Sequence, residues 1–207
     1  MAAGVPRDPG LLRRGVIPRW AGRLLMACAI SLLAYTGFVL TDAWLFQQAE
    51  DRQLGRLRTA TPSPVSPVSL PASATGGLIG RMEITRLGLS AIVMEGTTSK
   101  TLRRAAGHIA GTALPGQPGN IGISGHRDTF FRPLRKIERN DLITLTTTSG
   151  EYRYRVVSTK VVGPDDVAVL DPAKTEILTL VTCYPFYFVG PAPKRFIVRA
   201  IRLASGA

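Results

Sequence analysis

Cysteine and histidine are scarce: two of each in 207 residues. With Cys28 inside the longest apolar run and Cys183 far outside it, no disulfide framework is available. A bridge needs Cα atoms within about 7 Å of one another. The chain has no internal repeat, and acidic residues are outnumbered, 14 against 26 Lys and Arg, for a formal charge of +12. Such an excess can signal nucleic-acid binding, because basic proteins gain affinity by releasing counterions from a polyanion. Its distribution here speaks against that. Residues 1–23 carry Arg7, Arg13, Arg14, Arg19 and Arg23 against Asp8, and residues 78–207 carry 18 basic and 10 acidic residues scattered without a block. An anionic membrane surface or envelope polymer accounts for this pattern, and no nucleic-acid partner is expected.

What the chain does contain begins with "LLMACAISLLAYTGFVL", 17 uncharged residues from Leu24 to Leu40, with Trp20, Trp44 and Phe46 beside them. With Ala21, Gly22 and Thr41 this reaches the length of a membrane-spanning helix. It is longer than the core of a cleaved signal peptide and has no clean small-x-small site after it, so it reads as a signal anchor over 24–41. The arginines before it predict a cytoplasmic tail over 1–23 and an extracytoplasmic remainder. Residues 42–58 read as a helical stalk. Residues 61–77, proline-rich and without charge, read as a semi-rigid spacer that lifts the next domain off the bilayer, so that 42–77 forms stalk and linker.

From Leu78 to Ala207 short alternating segments are divided by turn signals. "GRMEITRLG", "LSAIVMEG", "NIGIS", a hairpin over 143–162 turning at Ser149 and Gly150, "EILTLVTC" and "RFIVRAIRL" supply strands, with one short helix in "SKTLRRAAG". About eight strands with little helix predict an all-β domain, a closed or nearly closed barrel that leaves no free edge.

Cys183 ends an apolar strand just before Tyr184 and Pro185, a lone thiol in a compartment where thiols oxidise; it is either a small buried hydrophobe or a reactive group. A nucleophilic thiol needs a base and a cation nearby. His126 in "GISGHRDTFF" is the better base, since Gly125 lets the chain turn after the strand; His108 reads as structural. Arg127, Lys194, Arg195 and Arg199 are the available cations. If the loop from Pro185 to Pro193 closes a hairpin, Cys183 and Arg195 become neighbours, and a guanidinium there can bind a carbonyl oxygen and the oxyanion made from it.

These segments resemble the sortase family. "TLVTC" at 179–183 matches the family's Thr-Leu-x-Thr-Cys signature, "GHRDTFF" at 125–131 resembles its histidine segment, and "RFIVRA" at 195–200 its arginine strand. "GTALPGQPGN" at 111–120 is similar to the loop before the histidine. The resemblance spans 78–207, favours class D over class A, and implies a sortase β-barrel and a cysteine transpeptidase of the cell membrane. By resemblance Cys183 is the nucleophile on a Leu-Pro-x-Thr-Gly-like C-terminal sorting motif, and His126 is the acid and then the base. Arg195 is the substrate and oxyanion ligand, and Thr182 a substrate contact. The implied partners are surface proteins bearing the motif and an amine acceptor, from a peptidoglycan precursor or another source. The loop 163–176 is expected to wall the groove. Asp165 and Asp166 read as a solvated turn, so no metal and no cofactor is expected. Neither an acidic lid over 61–77 nor a second membrane helix after the last strand is visible, which argues against a pilin-polymerising type. An L,D-transpeptidase would place His and Cys close together, whereas 57 positions separate His126 from Cys183. An inactive tethered β domain that binds envelope polymer is the remaining alternative.

Overall fold

Apolar residues alternate with polar ones along the strands after Leu78, and burial follows the same period of two. The computed structural model describes residues 19–59, 77–188 and 190–204. The expectations for the basic tail up to residue 18 and for the spacer over 60–76 lie outside the described residues. The strands are β1 (Leu78–Ile84), β2 (Leu89–Glu95), β3 (Ala106–His108), β4 (Asn120–Ser124), β5 (Leu142–Thr147), β6 (Glu151–Val162), β7 (Ile177–Tyr184) and β8 (Lys194–Arg202). They close into a barrel in the order β1-β2-β3-β4-β7-β8-β6-β5. Two neighbouring pairs are parallel, β2 with β3 and β4 with β7, and the rest are antiparallel. Met82, Ile84, Ile121, Ile123, Phe131, Ile143, Leu145, Tyr154, Leu178, Leu180 and Val198 fill the interior. Closure leaves no unpaired edge for another chain to extend.

The chain divides into one compact unit up to Thr41 and another from Asp42. The helix α1 (Arg19–Thr59) contributes to both. Its first part is long and apolar enough to cross a membrane, and none of that apolar stretch is buried. Two of its hydroxyls are satisfied locally: Thr36 and Thr41 donate to the carbonyls of Leu32 and Gly37, each at 2.8 Å. A span in hydrocarbon requires such internal pairing.

In the second unit the segment read as a helical stalk is helical as far as Thr59, and residues from Asp42 onward pack on the outer face of β1 and β2. The physical reason is that β2 is apolar on both faces: Ile92 and Met94 point outward with Ala105 beside them, and Phe46 and Leu78 cover them. Leu54 is buried in turn. Asp42 accepts two bonds from Arg104, at 2.7 and 2.9 Å, Asp51 pairs with Arg81, and Arg104 lies over the Phe46 ring. Gln47 is the most specific contact. The β2–β3 ladder begins only at Val93, and Gln47 fills the gap before it, accepting from Ile92 N at 2.8 Å and donating to Arg104 O at 2.6 Å. Gln47→Ala removes both partners and is expected to cost about 1–3 kcal/mol. The unfolding midpoint of the full chain in detergent measures it.

The hairpin of β5 and β6 turns at Ser149 and Gly150, with Thr147 N donating to Gly150 O at 2.8 Å. Asn140, at φ 74°, takes the left-handed turn before β5, a conformation that asparagine tolerates. Next to it Asp141, almost fully buried, accepts two bonds from Arg86 and one from Glu138 N, tying the β1–β2 turn to β5. The Arg86 guanidinium holds the Asp141 carboxyl below the ordinary aspartate range, against the opposing effect of burial. A depressed folded value means that the pair stabilises the fold above about pH 4, where the unfolded carboxyl is ionised, and that this contribution disappears as pH falls through the folded value. Asp141→Asn should therefore lower the unfolding midpoint at pH 7 and flatten its fall in acid, which a pH series of thermal melts reads directly.

Candidate functional site

Cys183 lies near the end of β7 and Arg195 near the start of β8, and the two are direct partners in the antiparallel ladder. Directly opposed residues share a face and hold their Cβ atoms about 4.5–5.5 Å apart. That face is the outer one, since Leu178, Leu180 and Thr182 of β7 turn inward and are buried. Cys183 is a free thiol, half-buried. The hairpin expected from the sequence thus forms, and it places Cys183 and Arg195 opposite one another in the ladder.

The third group arrives on β4, the parallel neighbour of β7 on the other side. Ser124 pairs with Val181, Gly125 N donates to Val181 O at 3.2 Å, and Thr182 Oγ1 donates to Gly125 O at 2.7 Å. These bonds hold the chain against β7 up to Gly125, so His126 leaves the sheet beside Cys183, with its side chain exposed. A glycine is required at 125: a Cβ there would come within 2.9 Å of the Phe131 ring, which is buried in the core. Phe131 N in turn donates to His126 O at 3.1 Å, closing a tight turn behind the histidine.

Thr182 is placed differently from its expected role as a substrate contact. It is 2% exposed, and its hydroxyl is committed to Gly125 O, because inward-facing positions of β7 alternate with those that see the groove. It aligns β7 with the His126 segment. His108 is also buried, with Nδ1 at 2.8 Å from Glu95 Oε2 and Nε2 at 2.9 Å from Ala113 O. It lies on β3, two strands from β7, and fixes the loop before β4. The partner Glu95 carried no local signal in the sequence; only the parallel pairing of β2 with β3 brings it there.

Two loops flank Cys183. The β6–β7 loop, with a 3-10 turn over Val167–Leu170, crosses the outer face and is gripped by its carbonyls. Asn120 Nδ2 donates to Val169 O and Asp171 O at 3.0 and 3.1 Å, and Arg199 donates to Val169 O at 3.0 Å. Asn120 is oriented by Thr179, which donates to its Oδ1 at 2.6 Å. Tyr184 at the end of β7 and Phe186 of the β7–β8 loop pack on Phe196, and the loop also carries the exposed Tyr187 and Phe188. The Arg195 guanidinium donates into this loop, to Ala192 O at 3.1 Å and Lys194 O at 3.0 Å. Arg127 is buried and fully engaged elsewhere in the same loop, which removes it from the cations open to a substrate. At the far end of the barrel, Tyr154 donates to Glu176, whose carboxylate also accepts from Gly116 N at 3.0 Å. Burial and that carboxylate push the Tyr154 hydroxyl well above the ordinary phenol range, so it remains a donor.

Among the described residues, no group of three or more His, Cys, Asp or Glu is arranged to hold a metal ion. Asp166 faces Lys160 at 3.8 Å. A groove of about 500 Å³ lined by Trp44, Gln47, Arg81, Ile92 and Phe130 lies where α1 meets β1 and β2, several strands from Cys183.

Cys183 and Arg195 are thus opposed on one outer face of a closed barrel, and His126 follows β4 on the other side of β7. The Sortase domain family model matches residues 82–203. Sortase D of Bacillus subtilis (strain 168) is 31% identical over 192 residues, covering 86% of this chain and 96% of that protein. Among solved structures, the Clostridium perfringens Sortase D5 transpeptidase superposes with a TM-score of 0.58 at 30% identity, over 63% of this chain and 82% of that one. Sortase E1 from Streptomyces coelicolor, solved with a tripeptide in its active site, gives 0.56 at 29% identity, over 63% and 92%. The chain belongs to the sortase family and is a cysteine transpeptidase of that family.

Proposed function

We propose that this sortase is held by α1 in the cell membrane, with its N-terminus cytoplasmic and its barrel outside. There it cleaves a Leu-Pro-x-Thr-Gly-like C-terminal sorting motif and joins the protein that bears it to an amine of the envelope. The similarity to Sortase D is the ground for assigning it to class D. The observation that carries the chemistry is the register that opposes Cys183 to Arg195 while β4 delivers His126 on the other side of β7.

In this reading Cys183 passes its thiol proton to His126, and its sulfur attacks the carbonyl carbon of the threonine. The electron pair moves onto the carbonyl oxygen, and Arg195, turning away from Ala192 O, donates to that oxyanion. Collapse breaks the Thr–Gly bond, His126 gives its proton to the departing glycine amine, and a thioester remains on Cys183. An incoming amine, from a peptidoglycan precursor or another acceptor, attacks the thioester while His126 takes its proton, and the thiol is regenerated. The β6–β7 loop, fixed by Asn120 and Arg199, forms one wall for the residues before the threonine. The solved Sortase E1 with a tripeptide in its active site supports peptide binding at the equivalent place. The test is to incubate the full chain with a panel of such peptides and an amine acceptor. A ligated product formed by the wild type and absent with Cys183→Ala supports the reading; no product with any peptide, from a folded protein with a titratable thiol, removes it.

A further inference from the structure

Arg127 follows His126 directly, yet its side chain reaches 58 positions ahead to the segment that follows Cys183. It is 7% exposed. Nη1 donates to Pro185 O at 2.9 Å, and Nη2 donates to Phe188 O at 2.6 Å and to Gly190 O at 3.1 Å. The guanidinium lies over the Phe188 ring at 6.0 Å, and Asp128 sits 3.6 Å from Nε. Three carbonyls of one loop therefore converge on a single planar fork. That loop begins two residues after Cys183, ends at Arg195, and supplies Ala192 O, on which the Arg195 guanidinium rests.

We infer that Arg127 is a positioning residue for transpeptidation: it fixes the β7–β8 loop to the histidine segment and so sets where Arg195 meets the oxyanion. A planar fork makes several simultaneous bonds of fixed direction that an ammonium cannot reproduce. Its backbone is continuous with His126, and its bonds are continuous with Cys183 and Arg195, so one side chain joins all three groups. The inference rests on the role given above to Arg195.

The experiment is a double-mutant cycle on the full chain in detergent, with Arg127→Lys, Arg195→Lys and both together. It reads kcat/KM for peptide cleavage, normalised to thiol-titrated sites, beside the thermal midpoint and the rate of Cys183 alkylation by a small reagent. Arg127→Lys is expected to lower kcat/KM by about 100-fold, the scale of a misplacement near 1 Å. Alkylation of Cys183 should stay near the wild-type rate, since it does not need Arg195. In the Arg195→Lys background the same change should have little further effect, because residues that act through one another are not additive. Arg132→Gln, an exposed arginine in the following turn, serves as the charge control and should be silent. If the thermal midpoint shows Arg127→Lys to be unfolded, Arg127→Gln, which still donates two bonds, is read in its place. Losses that multiply in the double variant, or an undiminished kcat/KM in the folded single variant, overturn the inference while leaving the role of Arg195 intact. If Arg195→Lys alone is silent, the role of Arg195 falls and the inference with it.

Discussion

Cys183→Ser is expected to abolish ligation and cleavage of sorting peptides, with kcat falling by at least about 10⁴-fold, the scale seen when a covalent nucleophile is removed. The substitution keeps the size and polarity of the side chain at a half-buried outer position, so the thermal midpoint should hardly move. What is lost is the thiolate, which forms and attacks at neutral pH where a serine hydroxyl does not. The ladder partner Arg195 and the β4 neighbour His126 remain in place, since both are set by backbone pairing and not by the sulfur. The protein should therefore still bind peptide while failing to cleave it. Titration by fluorescence anisotropy beside a cleavage assay separates the two.

His126→Ala carries the second largest effect, a loss of about 10²–10⁴-fold in kcat, the usual contribution of a positioned acid–base group. The ring is exposed and its backbone is fixed by Gly125 and Phe131, so the loss should not reflect unfolding. Because the site opens to solvent, free imidazole added to the variant should restore part of the rate in a saturable way. The deficit should appear in both halves of the reaction: in release of the glycine amine, and in attack by the acceptor. Pre-steady-state product release and acceptor-concentration series distinguish them. An unrescued variant with an intact fold would mean that the imidazole serves only to shape the groove.

Much of this was legible from the chain itself, for identifiable reasons. Period-two alternation marks β1 and the β5–β6 hairpin, and the turn chemistry of Ser149, Gly150 and Asn140 marks where strands begin or end. The hairpin geometry between Pro185 and Pro193 was enough to bring Cys183 beside Arg195. Long-range parallel pairing was not legible. β3 is three residues long and hides in what reads as the end of a helix, yet it is the strand that bridges β2 to β4. The partners Glu95 for His108 and Asn120 for the β6–β7 loop depend on that pairing. Residues 42–58 read as a helical stalk because they lack helix breakers apart from Gly55 and mix charge with leucine. Only the outward Ile92 and Met94 of β2 explain why Phe46 is half-buried there. Thr182, one residue from the thiol in sequence, faces the opposite side of the sheet, a consequence of strand alternation that a motif match does not weigh.

The order of the two loops around the thiol suggests how selectivity and rate are divided. The β6–β7 loop is held by Asn120 and Arg199, and in the proposed reading it meets the peptide before the scissile bond. The β7–β8 loop is held by Arg127 and contacts the Arg195 guanidinium, which in the proposed reading meets the bond itself. Changes in the first are expected to alter which peptide is chosen, and changes in the second to alter how fast any peptide reacts.

The central claim, that Cys183 forms a thioester with the sorting motif, is tested most directly by intact mass spectrometry of the full chain. The protein is mixed with a Leu-Pro-x-Thr-Gly-like peptide without an amine acceptor, quenched in acid, and then digested to locate the adduct. The account predicts a mass increase equal to the peptide up to and including its threonine, placed on Cys183, removed by hydroxylamine and absent in Cys183→Ala. Cleaved peptide with no adduct on Cys183, or an adduct of the same mass on the alanine variant, would contradict it.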